Sequence, residues 1–380
     1  MKKLLALFTI LNLLTACSKD QPYNLEAGNY SITGKFVTPN GSDAVSKASV
    51  KLYKDGTLVK EALTDSEGNF TLSELTKGNY ELNIERGKFK TSTTVNLEDF
   101  SEFNMLDLDS ILIEEIPSIA VVTGHWDRIE AVLYNIGLVD PLTQEPLFDI
   151  INGYIGFDRQ SQYGHAHGDD TQNRMNPMLS PNVDFNFGEF IQNPDLLDDY
   201  DIIFLNCGLN ESGTEFSHNL TDYINNGGLV YATDYAYTYL NDITANGSEY
   251  IDFATPYKSG TSLTAEAQIL NQDLLDWIEL NYNIDVNNET VTIDEFAPDW
   301  QLVDTYDAET VLPWLYSSVE YDGNMVDKYL AYTFLHGQGG VFYSSFHTEN
   351  NSDDATTVDR LMQYMVFELA DLDDEAELID

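Results

Sequence analysis

Basic side chains are scarce in this chain: 18 Lys and Arg stand against 64 Asp and Glu over 380 residues, a formal charge of -46. So negative a surface repels phosphodiesters and anionic headgroups, which argues against nucleic acid or anionic lipid as the main partner. Cysteine is scarcer still, with Cys17 and Cys207 the whole complement. Beyond the first 16 residues no run approaches the roughly 18–20 apolar residues that a spanning helix needs. A Walker loop, a Gly-x-Gly-x-x-Gly turn, a Gly-x-Ser-x-Gly elbow, an intact calcium loop and an internal repeat are all missing from the sequence, so those phosphate, hydrolase and calcium chemistries have no motif to sit on.

What is present is apolar surface. At 43% hydrophobic and 12% aromatic residues, the chain has the material for a packed core that a disordered acidic tail lacks. The charge is uneven as well. Residues 1–105 hold 12 basic and 13 acidic side chains, whereas 106–380 hold 6 and 51, so two regions with different surfaces are expected.

The N-terminus runs Lys2-Lys3 and then an apolar stretch over 4–14 broken only by Thr9 and Asn12, the plan of an export signal. It ends Leu14-Thr15-Ala16-Cys17, which resembles the lipobox of bacterial lipoproteins. That resemblance implies cleavage of residues 1–16 and lipid on Cys17, with 17–29 as a tether. Several acyl chains hold a protein at a membrane where one binds only marginally. Ser18, in place of an Asp that favours inner-membrane retention, makes the resemblance point to the outer membrane; the leaflet, and with it surface exposure, is left open by Ser18-Lys19-Asp20. The other reading is a secretory signal with an incidental cysteine. If Cys17 is lipidated, Cys207 has no disulfide partner, and in an oxidising envelope its thiol must be buried or used.

Over 30–97 short alternating runs are punctuated by turn residues: 31–37 by Pro39-Asn40-Gly41, 48–53 by Asp55-Gly56, and 58–63 by Asp65-Ser66-Glu67-Gly68. This spacing predicts a small antiparallel sandwich. Thr64-Asp65-x-x-Gly68-x-Phe70 followed by Lys77-Gly78-x-Tyr80 resembles the carboxypeptidase-regulatory-like, or prealbumin-like, domain. The resemblance implies a non-catalytic spacer or docking module. Residues 98–116 read as an acidic linker.

From 117 the pattern changes to alternating β and α. Apolar runs at 118–123, 201–205 and 229–232 read as buried strands, Ile129, Val132, Leu133 and Ile136 share one helix face, and Gly137 stops that helix. A hairpin-like pair, 329–335 and 340–346, and a helix over about 356–370 close the region. The expectation is an open, mostly parallel sheet covered on both faces by helices, with sites at the carboxyl ends of strands. Ile119-Ala120-Val121-Val122-Thr123-Gly124, Leu197-x-x-Tyr200-Asp201-Ile202-Ile203-Phe204, Tyr223-Ile224-x-x-Gly227-Gly228 and Phe342-Tyr343-Ser344-Ser345-Phe346-His347-Thr348-Glu349 resemble class I glutamine amidotransferase-like proteins, including the ThuA-like group. The resemblance spans most of 117–372 and implies an α/β flavodoxin-like domain, with 139–195 and 240–328 as insertions.

Active members of that superfamily pair an elbow cysteine with a His-x-Glu. Here His347-Thr348-Glu349 matches the second part, but the elbow reads Ala232-Thr233-Asp234-Tyr235-Ala236, with Asp234 where the nucleophile belongs. A carboxylate cannot reproduce thiol acyl transfer, so glutaminase activity is not expected. Asp234, His347 and Glu349 are then either a relic holding the elbow or, alternatively, ligands of a divalent metal that activates water for hydrolysis. Cys207 falls at the end of a neighbouring strand, as a buried small hydrophobe or a crevice residue. His125-Trp126-Asp127 sits where the crevice opens, so His125, Trp126, Cys207 and Tyr235 are the candidate ligand contacts, for a saccharide or another small molecule. His165, His167 and Asp169 have metal-ligand chemistry but no fixed scaffold, and also read as a solvated loop. Residues 373–380 read as an acidic, solvated tail.

Overall fold

The computed structural model describes residues 30–98, 104–154, 177–244, 247–254, 263–282, 289–296, 300–346, 348 and 357–377. The signal, tether and Cys17 lie outside them, as do His165, His167, Asp169, His347 and Glu349.

Seven strands make the first unit: β1 (Tyr30–Val37), β2 (Ser49–Lys54), β3 (Thr57–Leu63), β4 (Asn69–Leu75), β5 (Gly78–Arg86), β6 (Phe89–Leu97) and β7 (Met105–Leu112). They form two sheets, β4-β1-β7 and β3-β2-β5-β6, that bury Ile32, Phe36, Val50, Leu52, Phe70, Leu72, Tyr80, Leu82 and Ile84 between them. The Thr64–Phe70 motif acts as its chemistry demands. Asp65 Oδ1 accepts the Glu67 and Asn69 amides at 3.0 and 2.8 Å, and Gly68 takes φ +79, where a Cβ would lie 2.5 Å from the Phe36 carbonyl. Thr64 Oγ1 donates to the Val45 carbonyl and accepts the Ala48 amide, both at 2.8 Å.

The stretch expected to be an acidic linker instead supplies β7, which runs parallel to β1 from Ser31↔Met105 to Val37↔Leu112. Its apolar residues Leu106, Leu108 and Ile111 pack on the core, while Asp109 is exposed. An edge strand packs on one face only, so its other residues carry the charge that reads as linker.

The second unit contains β8 (Ile119–Val122), α1 (Ile129–Asn135), β9 (Asp149–Ile151), α2 (Phe187–Gln192), α3 (Pro194–Leu197), β10 (Ile202–Leu205), α4 (Ser217–Asn225), β11 (Leu229–Thr233), α5 (Asn241–Thr244), β12 (Ile251–Phe253), β13 (Leu263–Ile269), α6 (Gln272–Tyr282), β14 (Thr290–Phe296), β15 (Val303–Tyr306), β16 (Val311–Tyr321), β17 (Asn324–His336), β18 (Gly339–Ser344) and α7 (Thr357–Glu377). Nine strands form one sheet in the order β14-β13-β16-β17-β18-β11-β10-β8-β9. The last five are parallel and follow flavodoxin order, 2-1-3-4-5. The other four are antiparallel, so the sheet is mixed, not mostly parallel. The 240–328 region extends the central sheet instead of decorating it.

Strand residues alternate between two cores. Ile119, Val121, Ile202, Phe204, Leu229 and Tyr231 share one with α1, α6 and α7. Ala120, Val122, Ile203, Leu205, Val230 and Ala232 face α2, α4 and the turn after β11. Helix α7 runs past the expected end near 370 because Leu372 packs over Gly340, whose missing side chain leaves the room.

The β-unit is docked on the α/β unit, not held apart as a spacer. Phe89 meets Phe367 edge to face at 5.1 Å, Arg86 Nη2 lies 2.6 Å from Glu368 Oε2, and Lys47 pairs with Asp273. The two units share one continuous apolar cluster.

Candidate functional site

In flavodoxin order the succession of strands reverses between parallel β8 and β10, and the crevice opens beyond their carboxyl ends. The loop after β8 is Thr123-Gly124-His125-Trp126-Asp127, and that after β10 is Asn206-Cys207-Gly208. They lie together: the His125 amide donates to the Gly208 carbonyl at 3.3 Å and the Trp126 amide to the Cys207 carbonyl at 3.2 Å. Gly124 permits this approach, since a Cβ there would sit 2.0 Å from the Cys207 carbonyl oxygen.

Asp127 is the organising residue, and only 1% of it is exposed. Its Oδ1 accepts the Thr348 amide at 3.0 Å, the Thr348 hydroxyl and the Arg128 amide. Its Oδ2 accepts the hydroxyl of Thr233, at the end of β11. Thr233 Oγ1 in turn accepts the Cys207 amide at 2.9 Å, and Asn206 Nδ2 donates to the Asp127 carbonyl at 3.3 Å and to Glu130 Oε2 at 2.9 Å. One carboxylate therefore ties together the ends of β8, β10 and β11 and the segment after β18. Sequence reasoning placed Asp127 at the crevice only as the neighbour of His125 and Trp126. The signal was there: a lone acid directly behind an apolar strand, at a fold position that gathers loops.

Asp234 does occupy an elbow. Between β11 and the helical turn Asp234–Leu240 it takes φ +43, a strained region for a side-chain-bearing residue. The residue is 2% exposed. Oδ1 accepts the Gln301 amide at 2.6 Å and Oδ2 faces the Cys207 thiol at 3.4 Å. Gln301 is itself buried, held by Tyr321 and Tyr343, so a segment of the antiparallel extension caps the elbow. Both Asp234 oxygens have partners inside the protein. Among the described residues no three His, Cys, Asp or Glu side chains converge to hold a metal.

Burial, then the Asp234 and Asp127 carboxylates, push the Cys207 thiol well above its ordinary pKa. It stays a protonated donor, not a thiolate nucleophile. In the native protein Cys207 should therefore resist a thiol reagent at about pH 8 and react fully once denatured; ready native labelling would contradict this.

The ligand candidates divide by exposure. His125 is exposed and lies against Tyr154 with the ring centroids 4.1 Å apart and the planes tilted by 38°, and the Tyr154 hydroxyl donates to the Gly124 carbonyl. Trp126 and Tyr235 are half-buried, and Cys207 is buried. Thr348 brings the middle of the His-x-Glu motif to the crevice; its two neighbours lie outside the described residues.

Fold and site define a two-domain protein, a prealbumin-like sandwich joined to a flavodoxin-like α/β domain. The family model of the carboxypeptidase regulatory-like domain matches residues 31–108. Among solved structures, a ThuA-like protein from Parabacteroides merdae is similar over 67% of this chain and 90% of its own, at 12% identity and TM-score 0.38. The 5-hydroxyisourate hydrolase of Klebsiella pneumoniae covers 24% of this chain and 91% of its own at 16% identity and TM-score 0.19. The pilus 2b backbone protein of group B streptococcus covers 22% of this chain, and 40% of its own, at 16% identity and TM-score 0.19. No curated protein matches the chain.

Proposed function

We propose that this chain is a lipid-anchored cell-envelope protein, held at the outer membrane through Cys17, whose amidotransferase-like domain has given up catalysis and binds a small envelope or saccharide ligand. One observation carries the loss of catalysis: the residue at the nucleophile's position, Asp234, is buried, capped by Gln301 and faced by a protonated thiol. The crevice keeps an aromatic pair, exposed His125 against half-buried Tyr154, suited to contact with a small ligand. The lipobox-like Leu14-Thr15-Ala16-Cys17 supports the anchor. No helix among the described residues is long and apolar enough to cross a membrane.

Fatty-acid labelling of producing cells tests the anchor, and glutamine turnover by the purified protein tests the site. Label should enter the wild type and not Cys17→Ser, and no ammonia should be released from glutamine. Equal labelling of both would remove the anchor, and ammonia release abolished by His347→Ala would remove the binding-only reading.

A further inference from the structure

Away from the crevice, β12 and β15 form a two-stranded sheet, pairing Ile251↔Tyr306 and Asp252↔Thr305. It borders a shallow recess of about 310 Å³ lined by Ser248, Tyr250, Asp252, Thr305, Tyr306 and Asp307. The two tyrosines are half-buried and held from behind. Tyr250 lies flat on Phe334 at 4.7 Å and 19°, with its hydroxyl 3.2 Å from His336 Nδ1. Tyr306 packs on Tyr329 at 5.1 Å and on Tyr332 at 5.6 Å, and Tyr316 extends the row 5.2 Å beyond Tyr329. Rings locked in this way present contact surface with little rotamer freedom left to lose on binding.

Acceptors sit beside the rings. Asp307 is exposed and spends Oδ1 on the Glu309 amide at 2.9 Å. Asp252 accepts the Gly247 amide at 3.3 Å and the Thr305 hydroxyl at 3.4 Å, which fixes its orientation. The neighbouring cation, Lys328, is held by Asp304 at 3.0 Å.

We propose that this recess is a second binding site, for a neutral saccharide, in which Tyr250 and Tyr306 stack on sugar C–H faces and Asp252 and Asp307 accept hydroxyl protons. Carboxylates receive the paired donors that vicinal hydroxyls offer, and aromatic rings receive the apolar face of the pyranose. The surrounding negative charge repels uronates and phosphorylated glycans. Burial and Glu249 push Tyr250 up to about 12, so its phenol remains a neutral donor at physiological pH. This site lies on the antiparallel extension and does not depend on what the β8/β10 crevice binds.

The test is calorimetry of the full-length protein in detergent against maltopentaose, xylopentaose, cellopentaose, mannopentaose and chitopentaose, with polygalacturonate and spermidine alongside. At least one neutral pentasaccharide should bind and polygalacturonate should not. Tyr306→Ala should weaken binding by about tenfold or more, whereas Tyr306→Phe keeps the ring and should stay within about threefold. Asp307→Asn retains the bond to Glu309 and the fold, and should weaken binding by about threefold, which decides the matter if Tyr306→Ala does not fold. Heat from spermidine alone, no binding of any neutral sugar, or sugar binding indifferent to both Tyr306→Ala and Asp307→Asn would overturn the proposal. The last result would place the sugar elsewhere, the crevice included.

Discussion

Asp127→Ala should destabilise the protein by about 3 kcal/mol or more, as leaving buried donors unsatisfied costs about 1–3 kcal/mol each. The substitution strands the amide and hydroxyl of Thr348, both directed at Oδ1. The Thr233 hydroxyl loses its near acceptor and falls back on the Leu205 carbonyl at 3.4 Å. Asp127→Asn keeps Oδ1 for Thr348 and is expected to cost about half as much, because the new amide donor meets an oxygen that already serves the Cys207 amide. Urea unfolding followed by tryptophan fluorescence would measure both. A loss below about 1 kcal/mol for the alanine variant would show that Asp127 is not the hub of the strand ends.

Arg86→Ala is expected to cost about 3–5 kcal/mol, the range for stripping one partner from a buried ion pair. The Arg86 and Glu368 side chains are only 9% and 19% exposed, so the remaining carboxylate is left in a poorly solvated position. The pair joins β5 to α7, and its loss should also split one unfolding transition into two, the sandwich separating from the α/β unit. Arg86→Met with Glu368→Leu should recover most of the loss, because matched apolar groups carry no desolvation cost. Calorimetric traces of the two variants distinguish an electrostatic origin from a packing one. If the double replacement is as unstable as Arg86→Ala, shape and not charge holds the units together.

Much of the fold was legible because the relevant signals are local. Asp65, Gly68 and Phe70 define a turn within six residues. Strands β8 and β10 are buried along their whole length and so read as unbroken apolar runs. Gly137 ends α1 at φ +93. The missed parts depend on distance along the chain. Strand β7 is half polar because it packs on one face, and β16, inside the stretch read as an insertion, alternates like a surface segment until it is paired with β17; the pair of β17 with β18 was itself legible. The contact of Arg86 with Glu368 spans 282 positions, and nothing near either residue announces the other. At the site, position 234 was legible as an elbow without its thiol. The Gln301 cap and the role of Asp127 were not, since both come from loops brought together only by the folded sheet.

The parallel pairing of β1 with β7 has a mechanical consequence. Strand β1 begins at Tyr30, while β7 ends at Leu112 and leads into the α/β unit. Tension applied between the segment before Tyr30 and the α/β unit, as the proposed anchor would apply it, would enter one strand at its start and leave its neighbour at its finish. Force along that line loads all the bonds from Ser31↔Met105 to Val37↔Leu112 at once, in shear, instead of peeling them one after another. The sandwich is thus wired to bear a pull.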